Sequence, residues 1–135
     1  MMQITHASTG AAVGKFIPNP ILAFIAGIIV HFIIDKIPHF WPETSRGKTI
    51  LVVVDHTFTY ALFLAACFFK VGTTSMLYGA AGSLVVDIVI IGIPPIFKGK
   101  IGRWHTNRQP HILNPISMVT DVLVTLIGIF ILIYL

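Results

Sequence analysis

The sequence predicts an all-α fold: a polytopic membrane helix bundle of four full spans plus a short N-terminal membrane helix, forming a single integral-membrane domain over residues 1–135. Three observations predict it. The chain is 56% hydrophobic and only 10% charged, against roughly 25% charged in soluble domains, and its mean hydropathy is +0.90. Four apolar stretches, 20–37, 50–69, 73–97 and 116–135, approach the roughly 20 residues that a helix needs to cross a bilayer core. Four of the five acidic residues, Asp35, Asp55, Asp87 and Asp121, lie inside those stretches, and each costs roughly 2.5–3.5 kcal/mol at the centre of a membrane helix. Partners, shared protons or a metal must offset that cost.

The elements follow in order. Residues 3–16 are too short and too polar to span alone. Ala7, Gly10, Ala11, Ala12 and Gly14 are the small residues that let membrane helices approach closely. The segment reads as a short helix antiparallel to the first span, and the absence of a basic n-region makes it part of the mature domain rather than a signal peptide. Pro18-Asn19-Pro20 turns the chain and starts the first span. Ile37-Pro38 ends it, and Phe40-Trp41-Pro42 reads as an interfacial aromatic belt. Lys70-Val71-Gly72 is so short a loop that the second and third spans should pair antiparallel. Pro94-Pro95 closes the third span, and 98–115 is the long polar connection before the fourth. The lone Cys67 permits no internal disulfide and is expected in the core.

Basic residues set the orientation. Lys36, Arg46, Lys48, Lys98, Lys100, Arg103 and Arg108 fall on one side of this arrangement, and Lys15 and Lys70 on the other. The first side is therefore cytoplasmic and the C-terminus non-cytoplasmic. Cations confined to short loops serve topology, so the net charge of +4 does not point to nucleic acid. Counted from the non-cytoplasmic end of each helix, His6, His31, Asp35, Asp55, His56, Asp87 and Asp121 all lie roughly 11–15 residues deep, one layer at about 16–22 Å.

Within that layer, His31-x-x-x-Asp35 puts an imidazole and a carboxylate on one helix face, with His39 just beyond Pro38. Such nitrogen and oxygen donors suit zinc or a similar divalent ion; they equally suit a hydrogen-bonded pair that locks two helices. Adjacent Asp55 and His56 point about 100° apart and cannot both face one ligand. Gly79-x-x-x-Ser83-x-x-x-Asp87 copies the frame of Gly27-x-x-x-His31-x-x-x-Asp35, as a weak internal repeat or a coincidence. His105, Arg108 and His111 belong to the basic loop, which can meet an anionic head group or simply hold topology. Asp121 reads as a group behind the ligands or as an arginine partner.

The run Thr5-His6, Gly10-Ala11-Ala12-Val13-Gly14 and Gly27-x-x-x-His31-x-x-x-Asp35-x-x-Pro38-His39 resembles the bacterial membrane-bound metal-dependent hydrolases. It is closer still to small membrane proteins that look like short relatives of that family. The resemblance covers the first forty or so residues well, and continues more loosely through Asp55–Tyr60 and the segment 79–87. It implies a metal site on His6, Asp35, His39 and Asp87. Where the family carries a His-Arg-Gly-x-Thr-His-Ser-like segment, this chain has Phe58-Thr59-Tyr60, and Ser83 stands in place of a later histidine. Metal binding would then also draw on His31 and Asp55.

The expected function is a metal-dependent hydrolase of the bacterial plasma membrane, acting on an ester or phosphoester of an anionic, lipid-like substrate. His6, His31, Asp35, His39 and Asp87 would hold a divalent metal, zinc first, with Asp55 or His56 as general base. The alternatives are a small proton or ion carrier using the same groups as a relay, and a structural membrane protein whose polar layer only specifies packing.

Overall fold

The computed structural model describes residues 2–40, 45–92, 99–100, 103–104, 111–112 and 118–135. Five helices carry the fold: α1 (Gln3–Lys15), α2 (Pro20–Ile34), α3 (Ser45–Phe68), α4 (Thr74–Gly92) and α5 (Met118–Tyr134). A two-residue parallel pairing, β1 (His39–Phe40) with β2 (His111–Ile112), sets His39 opposite His111 and joins the chain after α2 to the chain before α5. The all-α expectation holds. Of the helices among the described residues, one, Thr49–Phe68, is by itself long and apolar enough to cross a membrane, and the stretches Pro20–Ile34, Thr74–Ile90 and Met118–Tyr134 are shorter. Among the described residues, four full-length helical spans are therefore not supported.

The first expected span shows why. Asn19 caps α2, its side chain accepting from Ile21 N at 2.9 Å and Leu22 N at 3.2 Å, with Pro20 at the first helical position. At the other end α2 stops at Ile34, and the chain tightens into i→i−3 bonds, Lys36 N to Ile33 O and Ile37 N to Ile34 O. The proline at 38 cannot continue it.

Side-chain contacts fix the directions. Thr5 pairs with Thr125 at 2.8 Å, and Lys15 Nζ donates to Leu132 O at 2.7 Å and Ile131 O at 3.3 Å, so α1 and α5 run parallel. Ser75 donates to Pro18 O while Gly10 lies against Gly79, so α4 runs antiparallel to α1 and parallel to α2. Glycine makes this possible: a Cβ on Gly10 or Gly27 would strike Gly79 O, and a Cβ on Gly79 would strike Gly10 O. The repeated frame thus lies side by side, Gly27 against Gly79 and His31 against Ser83.

Polarity inside and outside is inverted relative to a water-soluble bundle. Among the described residues, the largest fully buried side chains are Leu84, His6, His31, His39, Gln3, Thr5, Thr59, Asp121 and Ser83, of which Leu84 alone is apolar. Ile29, Val54, Leu64, Ile127 and Ile133 are all more than half exposed. Cys67, expected in the core, is exposed on α3: this helix turns most of its apolar surface outward, and Cys67 lies on that side.

Candidate metal centre

Three helices bring four groups to one point. Helix α1 contributes His6, α2 contributes His31 and Asp35 at its C-terminal end, and α4 contributes Asp87. His6 Nε2 stands 3.2 Å from Asp35 Oδ1 and 3.9 Å from Asp87 Oδ2. His31 Nε2 stands 3.1 Å from Asp35 Oδ2 and 3.7 Å from Asp87 Oδ1. The two imidazoles stack, ring centroids 4.0 Å apart. Both histidines are fully buried, and Asp35 and Asp87 nearly so.

The tautomer of His31 decides what the arrangement can do. Its Nδ1 lies 2.8 Å from Ser83 O, a carbonyl that can only accept, so Nδ1 carries a proton. In the neutral ring Nε2 is then a lone pair aimed at carboxylate oxygens. Acceptors facing acceptors in a buried pocket require a cation between them, either a metal ion or an added proton. His6 faces the same carboxylate, its Nε2 3.2 Å from Asp35 Oδ1.

The donor set fits a metal. One ligand atom each from His6, His31 and Asp87 lies within 4.8 Å of the others, so this group could hold an ion. Ligand atoms around a tetrahedral zinc, at its usual bond lengths, stand about 3.4 Å from one another, and here Asp87 stands 3.9 Å from His6 and 3.7 Å from His31. The Ser83 carbonyl fixes the ring of His31 from behind, the support that metal-bound histidines commonly have.

The remaining expected residues take other places. Asp55 lies beneath the N-terminus of α1, accepting from Gln3 N at 2.5 Å, from Ile4 N at 3.3 Å and from Thr59 Oγ1 at 3.4 Å. Its charge faces the positive end of the helix dipole. Asp121 accepts from Met2 N at 3.0 Å, beside the same helix end. His56, half-buried, is 3.9 Å from Asp55 and packs edge-on to Tyr60. His39 is buried in β1 with Nδ1 3.0 Å from Ile37 O, and burial holds its pKa below the ordinary imidazole value; it does not join the His6–His31–Asp87 group. His105 and Arg108 lie outside the described residues, and His111 is placed by its backbone in β2.

Gln3 was not singled out from the sequence. Its backbone N–H goes to Asp55 and its side-chain amide donates to Asp87 Oδ2, linking the helix cap to the candidate ligand. A buried glutamine at the start of a short polar helix carries no spacing signal; only partners 52 and 84 residues away reveal it. No protein-family model, curated protein or solved structure matches the chain.

Proposed function

We propose that the protein is a membrane-embedded metal-dependent hydrolase cleaving an ester or phosphoester of a lipid-like substrate, in line with the resemblance drawn from its sequence. The observation that carries this reading is the convergence of His6, His31 and Asp87 with Asp35 beside them. Three protein ligands are the number that catalytic zinc sites commonly have, where structural sites have four. A bound divalent ion supplies Lewis acidity and brings the pKa of water toward neutrality. His6, His31 and Asp87 would hold it, and Asp35, whose oxygens lie 3.2 and 3.1 Å from His6 and His31, would serve as the proton acceptor, Asp55 being engaged by the backbone of α1.

The membrane setting is supported by the exposed aliphatic belt over α2, α3 and α5 around a polar interior. Helices shorter than a full span fit by local thinning of the bilayer. The basic loop 98–108 would attract an anionic head group.

Purified in detergent, the chain should contain one equivalent of metal, with zinc as the first expectation. Chelation should lower the thermal midpoint, because the binding energy of the ion is also folding energy, and zinc should restore it. His31→Ala and Asp87→Ala should lose the metal, whereas Asp35→Asn should keep it and lose hydrolysis of bis(p-nitrophenyl) phosphate or p-nitrophenyl acetate. A second reading rests on the same facing acceptors: a proton in place of the metal makes His6, Asp35 and His31 a relay. Metal-free protein that ignores chelator and carries protons across liposomes would establish the relay and end the hydrolase reading.

A further inference from the structure

An apolar cavity of about 280 Å³ lies between α1, α3, α4 and α5. Ala7 and Ala11 of α1, Leu62 and Phe63 of α3, Leu77 of α4 and Ile129 of α5 line it. One end reaches Ile4 and Thr59, which both donate to Asp55, so the cavity begins at the edge of the polar layer. The other end reaches Val71 and Met76 at the turn between α3 and α4.

Three physical facts narrow its occupant. Water needs two to four polar partners to settle in a cavity, and this lining is almost entirely aliphatic and aromatic. A helix from another chain, about 10 Å across with its side chains, is too thick to enter. A hydrocarbon chain fits: a cavity of roughly 150 Å³ takes a six-carbon ring, so 280 Å³ accommodates about twice that. The small side chains of Ala7 and Ala11 leave the groove open along α1, parallel to α3 and α5, with its polar end beside Asp55 and Gln3.

We infer that this cavity binds the hydrocarbon tail of a membrane lipid, with the head group at its Ile4–Thr59 end. As a statement about substrate class it rests on the hydrolase reading; as a statement about binding it does not. The test uses phosphatidic acid carrying a diazirine in one acyl chain, in phosphatidylcholine nanodiscs holding the full chain. Photolabelling should concentrate on Phe63, Ala7 and Ala80 over the outward-facing Phe58, Leu64 and Ile127. Ala11→Phe should cut the inner labelling about tenfold by filling the site, with metal content and outer labelling unchanged. Leu77→Trp fills the cavity from α4 and serves if Ala11→Phe does not fold. His31→Ala should retain the inner labelling, since the tail site needs no metal. Equal labelling of inner and outer residues, or inner labelling indifferent to both filling variants, would overturn the inference.

Discussion

Gln3 ties two functions to one residue, because its backbone caps through Asp55 and its side chain orients Asp87. Groups that orient a metal ligand are worth about 10–100-fold in affinity. Gln3→Ala should therefore weaken zinc binding by that factor, measured by competition with a chromophoric chelator, while the N–H that reaches Asp55 stays in place. An unchanged affinity would mean that Asp87 is held by other contacts. Asp55→Ala separates the two functions in the other direction: loss of the acceptor at the α1 N-terminus should cost about 1–2 kcal/mol of stability with metal content preserved. The sequence shows His31 and Asp35 because four-residue spacing alone puts them on one helix face. It hides Gln3 and the capping use of Asp55, because those depend on where α1 ends in space.

At the scale of the element, α4 is the shared wall on which α1 and α2 close, and Gly79 is where their backbones meet it. Backbone atoms cannot swing aside as a flexible side chain can. Gly79→Ala should accordingly force α1 and α4 apart at a cost of about 1–3 kcal/mol, read as a lower thermal midpoint. Zinc affinity should fall with it, since His6 and Asp87 sit on the separated helices. A neutral substitution would mean that the helices do not approach this closely. Lys15 acts at the opposite end, donating to the last carbonyls of the parallel α5, where a cation also complements the helix dipole. Pro18-Asn19-Pro20 made the α1–α2 hairpin readable from sequence, whereas the short turn at residues 70–72 pointed to α3 as the close partner of α4, and α4 packs chiefly on α2 and α1 instead. Helix lengths were less readable, because no glycine or proline stands between Ile34 and Pro38, yet the backbone has already tightened into a turn over residues 35–37. The β1–β2 pairing, two residues on each side, has no pattern long enough to register.

The whole molecule sets four carboxylates and buried histidines inside an aliphatic exterior, an arrangement that water would destabilise and hydrocarbon would favour. Helix directions make the consequence specific. Helices α1, α3 and α5 run one way and α2 and α4 the other, so the turn between α3 and α4 and the end of α5 share a side. Among the described residues Lys15 and Lys70 lie on that side, whereas Lys36, Arg46, Lys100 and Arg103 lie next to the helix ends of the other. Lysine and arginine near span ends are retained in the cytoplasm. An alkaline phosphatase domain fused after Leu135 should therefore be active, and a fluorescent protein inserted between Glu43 and Thr44 should fluoresce in the cytoplasm. One end cannot reverse alone, because α5 is bound to α1 by Thr5–Thr125 and by Lys15. Activity of the C-terminal fusion on the cytoplasmic side would therefore invert the entire bundle and place the basic loop, together with its proposed attraction for an anionic head group, on the opposite face of the membrane.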